Sequence, residues 1–488
     1  MYPRKKEGSI YVFFCKLLLI LLFFHTRSHG QEQLGMRLES FAGTSGLNIN
    51  PSSFLTGELG WDFQLGSAGA FFSNNYAFVE NAGFFRLIKQ WGSMEWALAL
   101  NPNPPGGDHV FLVNFYDRSS KSYFHLNSFI GGPSCVTKFG DRQSIGVFTN
   151  LRLAGNSFNI PNELTYFSYN NRPFQQPFTV NPWDASIMSW MELGVHYGWE
   201  SKGFDNPLFA GINLKYILGY ESVYISNLSD YIHSKLPENT ISLVNPEFRY
   251  GFTPIRESLP FFQRNGQGIG LDIGISKVLS EDREGYILKA GISIIDLGFI
   301  HFNKNSQAHF LDIDTTIFMH WSDYEDVRFP FELDDAVNIL GSRSLEGRQN
   351  TLSSESYSLL LPTAISFQLD YKMTKHIYFN GFLVQNLRLP GRGPQRADIL
   401  AFTPRWQNRF FSVSTPMTVF HWSKIHFGLA TRIGGLTLGS DHIHGLFSKG
   451  NFSGMDLYVS LRLPSSIFGG KKNGLFGQRS SGIECFEF

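Results

Sequence analysis

The chain has 488 residues, of which 17% are charged and 16% aromatic, with 48 Phe, 48 Gly and a formal net charge of zero. An ordinary soluble domain carries about 25% charged residues, so charge is scarce here, yet a mean hydropathy of −0.12 is too low for a bundle of apolar helices. Lys and Arg form no basic block, so nucleic acid is not an expected partner, because phosphate binding needs clustered cations. What remains is a chain whose apolar residues alternate with small polar ones.

The first thirty residues have the form of an export signal. Arg4, Lys5 and Lys6 make a positive start, Ile10 to Phe24 is an apolar run broken only by Lys16, and Ser28-His29-Gly30 puts small residues where a signal peptidase reads. Cleavage is expected between Gly30 and Gln31. The run is short of the roughly 20 apolar residues needed to span a bilayer, and Cys15 lies inside it rather than at a lipidation boundary. Cys135 and Cys485 would survive cleavage and read as two idle thiols. After Phe24 no long uncharged apolar run occurs, so any crossing of a membrane must use strands that close on themselves.

From Trp61 onward the chain alternates with period two. Ile145, Val147, Leu151 and Leu153 oppose Ser144, Gly146, Asn150 and Arg152. Leu208, Ala210, Ile212, Leu214 and Tyr216 are offset from Gly211, Asn213 and Lys215. Ile269, Leu271, Ile273 and Ile275 oppose Gly268, Gly270, Asp272 and Gly274. The pattern recurs in Ile365 to Tyr371, in Ile425 to Arg432, and in Met455 to Arg462. Many runs exceed the roughly 5–6 residues of a soluble strand, and their polar face is Gly, Ser and Asn rather than Lys and Glu. Trp61, Tyr76, Trp199, Tyr220, Tyr286, Trp321, Tyr371 and Trp422 fall near strand ends, where an interfacial aromatic girdle would sit. Together these features predict an all-β protein, a transmembrane antiparallel barrel of about 14 strands over residues 58–464.

Residues 140–142, 280–285 and 372–375 read as short turns, and 155–185, 227–240 and 322–356 as long polar loops. The tail 465–488 reads as a flexible extension; Met455 to Leu463 is the better closing strand, with the terminal Phe486 and Phe488 as the alternative. Arg152, Lys215, Asp272, Arg432 and Arg462 fall on the lumen side, to tune a pore or to pair with one another and fill the interior. On this facing, Leu271→Arg should impair assembly while Asp272→Asn should leave folding largely intact.

Other patterns carry less chemistry. Gly266-x-Gly268-x-Gly270 lacks the helix start a phosphate cradle requires and reads as strand glycines. Asp441-His442-Ile443-His444 offers two imidazoles without a third ligand, and the acidic run from Asp323 to Asp335 reads as a solvated loop. No nucleophile elbow or zinc-protease helix occurs. No catalytic, metal or cofactor residues are assigned.

Several patches, in order, carry a family resemblance. Gly46-Leu47-Asn48-Ile49-Asn50-Pro51-Ser52 resembles the early Asn-Pro segment of the long-chain fatty-acid transporters, and it is followed by Gly268 to Gly274, Leu288 to Gly298, Leu361-Pro362-Thr363-Ala364, Thr403-Pro404-Arg405, Leu438 to Asp441 and Gly454 to Tyr458. This ordering resembles an uncharacterised outer-membrane β-barrel family of Bacteroidetes, similar in outline to the long-chain fatty-acid transporters and to the secretion barrel PorV. The resemblance implies an outer-membrane location, lipid as a neighbour and a hatch: residues 31–57 lying in the lumen, with Asn48, Asn50, Ser52 and Ser53 touching its walls and Leu47, Ile49, Phe54 and Leu55 lining an apolar pocket. A plain leader is the alternative for that segment. The expected function is non-enzymatic: a hydrophobic-solute channel or a structural component. The alternatives are a scaffold or shuttle barrel for a secreted protein partner, and a hydrolase with a loop-borne site.

Overall fold

The computed structural model describes residues 32–468, apart from 91–92, 100–106, 117–121, 141, 165–172, 202–206, 239, 256–262, 283–284, 325, 329–330, 345–350, 423 and 448–449. The expected signal peptide with its Gly30/Gln31 cleavage point, Cys15, Cys485 and the terminal phenylalanines therefore lie outside the described residues. Among the described residues no helix is long and apolar enough to cross a membrane.

Period-two alternation becomes a closed antiparallel barrel of 14 strands. In chain order these are β1 (Trp61–Asn74), β2 (Ser122–Gly131, continued by Ser134–Phe139), β3 (Gln143–Ile160), β4 (Trp183–Ser201) and β5 (Leu208–Asn227). Then come β6 (Glu247–Phe252 and Gly266–Asp282), β7 (Gly285–Phe302 and Gln307–Asp312), β8 (Leu352–Ser354, Tyr357–Leu360 and Ala364–Lys372), β9 (Ile377–Asn386) and β10 (Ile399–Gln407). The last are β11 (Phe411–Ser414 and Met417–Phe420), β12 (Lys424–Phe427 and Leu429–Ile433), β13 (Leu436–Ser440) and β14 (Gly454–Pro464). Closure is between β14 and β1, from Asp62 opposite Pro464 to Ser73 opposite Gly454. Closing the sheet pairs every edge, which lipid requires because it offers no partner to a free N–H or C=O.

The two faces follow the alternation. Val147, Val195, Leu214, Ile269, Leu369 and Phe427 are exposed on the outside, forming the apolar band that meets lipid. Residues of the opposite phase, such as Asn213, Asp272, Ser366 and Asp456, are fully buried inside. Short turns gather at one rim, with Trp61 and Pro464; the long connections gather at the other.

Three expectations are corrected. The segments 155–185, 227–240 and 322–356 are not simply irregular loops. β3 continues to Ile160, and a four-stranded sheet (Phe178–Val180, Tyr231–Leu236, Thr240–Val244 and Thr316–His320) forms above the barrel, with a helix at Leu333–Ser344. Its apolar face, including Val180, Tyr231, Leu243 and Ile317, packs on Phe248, Tyr250 and Leu311 of β6 and β7, so short strands in polar stretches gain the burial that their own composition does not offer. Second, Tyr286 does not join a girdle. Its hydroxyl donates to Asp370 Oδ2 at 2.6 Å and lies 3.1 Å from Ser40 Oγ, inside the lumen. Third, the chain after Pro464 begins in order: Ser465 N donates to Trp61 O and Phe468 stacks on Trp61 at 5.6 Å.

The facing of β6 predicts that Ile269→Arg impairs assembly, since a cation on the lipid face costs about 2–4 kcal/mol at mid-membrane. Loss of the heat-dependent gel shift of a folded barrel would show this; an unaltered shift in that variant would overturn the facing.

Candidate functional site

The lumen is filled from within the chain. Residues 32–57 form a helical turn (Leu34–Arg37) and two 3-10 turns (Gly43–Asn48 and Pro51–Phe54). Local chemistry sets the last of these. Asn50 is the N-cap and accepts from Ser52 N at 3.0 Å, while Pro51 takes the first helical position, where no N–H is needed. The same Asn50 amide donates to Ser276 Oγ and Gln368 Oε1, each at 3.3 Å, so one side chain both folds the plug and fastens it to the wall.

Wall glycines make room for this. A Cβ at Gly274 would lie 2.1 Å from Asn50 Oδ1, and one at Gly211 would lie 2.5 Å from the Pro51 carbonyl carbon. Other wall groups reach the plug backbone directly: Ser293 Oγ donates to Ile49 O at 2.6 Å, Asn213 Nδ2 to Leu47 O at 3.1 Å and Arg405 Nη1 to Leu38 O at 2.7 Å.

All five lumen residues named from the sequence are buried, and they separate into two clusters. Arg152, Lys215 and Asp272 belong to the first. At its centre Asp296 accepts from Arg152 and Lys215 at 2.7 Å each and from Arg396 at 2.9 Å. Arg152 also bonds Glu192 at 2.9 Å, and Lys215 lies 2.8 Å from Asp272. Arg396 then grips Glu32 of the plug through two nitrogens, at 2.6 and 3.1 Å. Arg432 and Arg462 form the second cluster, near the turn rim. Arg432 Nε holds the Glu39 carboxylate at 2.9 Å, and Arg462 donates to Phe41 O and Ala42 O and lies 3.4 Å from Asp62. These residues are paired with one another and with the plug, so the expected tolerance of Asp272→Asn is corrected. Asp272 holds Lys215, Asn213 and the Asp296 amide at once.

Arg396 was not singled out from the sequence, because it lies in a Pro/Gly-rich connection, residues 387–398, outside the alternating runs. In the structure that connection folds inward. Arg392 O accepts from Leu360 N at 2.7 Å, the Arg392 guanidinium sits over the Tyr224 ring, and Gln395 O accepts from Asn156. Gly393, at φ +150°, permits the approach: a Cβ there would lie 2.3 Å from Leu360 O. Glu32, Glu39, Glu192 and Asp296 were also missed, although Glu192 and Asp296 carry the signal of a charge within an apolar alternating run.

Above the plug, toward the loop rim, the lumen becomes apolar. Leu34 packs with Phe71, Tyr123, Phe158 and Phe420, and Phe71 and Phe420 stand 5.0 Å apart. His125 sits among these rings, 3% exposed, and neither of its ring nitrogens has a hydrogen-bond partner. A residual cavity of about 20 Å³ remains between Leu34, Phe71, Phe420, His426, Glu32 and Asp441, among others. Asp441, from the patch with two imidazoles noted above, accepts from Leu34 N at 2.9 Å and from the Tyr458 hydroxyl at 3.0 Å. Among the described residues no group of three or more His, Cys, Asp or Glu side chains is arranged to hold a metal ion.

A protein-family model matches residues 101–441. The chain belongs to a family of unknown function, DUF5723. This agrees with the uncharacterised barrel family expected from the ordered patches. No curated protein matches the sequence. Among solved structures, a deletion mutant of the TodX monoaromatic hydrocarbon channel aligns over 90% of this chain and 99% of its own, at 9% identity and a TM-score of 0.41. The Ralstonia pickettii toluene transporter TbuX aligns over 91% of this chain and 100% of its own, at 8% identity and a TM-score of 0.32. The Pseudomonas putida toluene transporter TodX aligns over 90% and 98%, at 9% identity and a TM-score of 0.34. Likenesses this loose carry no argument about what this chain does.

The wall glycines generate a direct check on the plug. Gly274→Val should expel Asn50 and expose residues 32–57 to protease, while the barrel keeps its heat-dependent gel shift. Protection equal to wild type in a folded Gly274→Val variant would contradict the seating. Asp272→Asn should destabilise the fold, because removing one member of a buried ion pair costs about 3–5 kcal/mol; a denaturant titration of both proteins measures it.

Proposed function

We propose that the mature chain, after loss of residues 1–30, is an outer-membrane barrel without enzymatic activity that serves as a gated route for small hydrophobic molecules, closed in the state described. The observation that carries this reading is the aromatic chamber at the loop end of the lumen, whose floor is Leu34, the first helical residue of the plug. Rings from Phe71, Tyr123, Phe158 and Phe420 favour an apolar guest. Neither His125 ring nitrogen has a hydrogen-bond partner, so a guest that carries one polar group on its apolar body would in addition relieve a desolvation cost of about 1–3 kcal/mol. A cavity of about 20 Å³ holds no such molecule, so entry requires the plug to yield. The bonds to be exchanged are polar: Glu32 to Arg396, and Leu34 N to Asp441.

A second reading, a partner-binding scaffold, draws on the folded four-stranded sheet that stands on the loop rim. Electrical recording separates the two. Deleting Leu34 to Thr56 should raise single-channel conductance in a planar bilayer, and wild type should conduct little. In addition, toluene should protect the wild-type chamber from diethyl pyrocarbonate at His125, read by peptide mass spectrometry. Unchanged conductance in a folded deletion variant would remove the channel reading and leave the scaffold.

A further inference from the structure

Outside the barrel wall, on the loop side of the lipid band, lies a cleft of about 530 Å³, well within the roughly 300–1,000 Å³ of small-ligand sites. Its floor is the loop-side end of β7, with Asn303, Asn305, Gln307 and His309; its roof is Asn338 of the Leu333–Ser344 helix; Thr351 and Glu355 close one end. The facing is fixed by neighbours. Ala308 joins the lumen cluster with Phe302 and Leu359, whereas Leu311, in phase with Gln307 and His309, packs under the outer four-stranded sheet. On the same strand Leu297 and Phe299 are exposed, so the apolar band gives way to the cleft within a few residues.

The lining is chemically narrow. Four amides, two hydroxyls and one imidazole line it with a single carboxylate and, among the described residues, no Lys or Arg; Pro254, Val337 and Leu352 add apolar surface against which the face of a sugar ring can rest. An anionic ligand would call for cations, and a hydrocarbon would call for apolar walls. Amides present donors and acceptors together, which suits a ligand whose hydroxyls do the same. The lining is also held in place from behind. His309 Nδ1 lies 2.9 Å from Thr351 Oγ1 and its Nε2 lies 3.1 Å from Gln307 Oε1, while Gln307 Nε2 donates to Asp334 Oδ1 at 2.8 Å. The His309 ring stacks on Tyr250 at 5.0 Å. Such backing fixes the shape of the wall before a ligand arrives.

We propose that this cleft binds a neutral polyhydroxylated ligand, a glycan carried either by an outer-leaflet lipid or by a free oligosaccharide. The site is separate from the lumen and does not rest on the channel reading. The test uses the purified full chain in detergent on a printed array of neutral oligosaccharides and lipid-borne glycan headgroups, beside Asn338→Leu and Asn303→Leu. Both positions are exposed, so the fold is not at stake, and a heat-dependent gel shift confirms it. Wild type should bind a subset of glycans, and each variant should bind about tenfold more weakly through the lost hydrogen bonds. Displacement by the soluble oligosaccharide from glycolipid nanodiscs assigns the source: full displacement means the free sugar suffices, and retention means the lipid carries it. The chain lacking Leu34 to Thr56 should bind equally well. Absence of glycan binding above a detergent control, or equal binding by both variants, would overturn the proposal.

Discussion

Charges buried inside a barrel must be paired, and Asp296 is where this protein meets that requirement. Its carboxylate receives Arg152 and Lys215 from the wall and Arg396 from the inward connection. Around it Glu192, Asp272 and Glu32 complete the balance. An isolated charge there would be prohibitively unstable, whereas a closed set of charge-assisted bonds is tolerable and geometrically demanding. The set therefore does more than neutralise the interior. It joins five wall strands, one connection and the plug at a single point, so none of the three layers can shift without unpairing a buried ion.

Around that point the molecule divides its lumen by chemistry. Near the turn rim the plug is held by Arg405, Arg432 and Arg462, which donate to its backbone or grip Glu39. Toward the loop rim the contacts become rings and aliphatic side chains, and the polar grip thins to Glu32, Leu34 N and Gly35 N, the last of which donates to the Tyr458 hydroxyl. The exposed surface is divided as well: an apolar band for lipid, then a polar loop-side superstructure built from short strands that pack on the extended ends of β6 and β7.

Much of this was legible in the residues. The alternation of Ile269, Leu271 and Ile273 with Gly270, Asp272 and Gly274 gives both faces of β6 without any knowledge of its neighbours, because side chains in a strand point to opposite sides in turn. The Asn50-Pro51-Ser52 turn is equally local, set by a capping amide and a fixed proline φ. Tyr286 shows the limit. Its position near a strand end fits a girdle, but its direction depends on Asp370 and Ser40, which lie far away in sequence.

The sequence by itself determined the class of structure and the facing of its strands, since period-two patterning and the absence of long apolar runs after Phe24 leave lipid only one satisfied backbone arrangement. The tertiary structure alone decided what fills the interior. That residues 387–398 turn inward, that Glu32 meets Arg396, and that Asp296 gathers three cations are all consequences of chain closure. Closure brings residues hundreds of positions apart to within hydrogen-bonding distance, and no local pattern records which partner a buried charge will find.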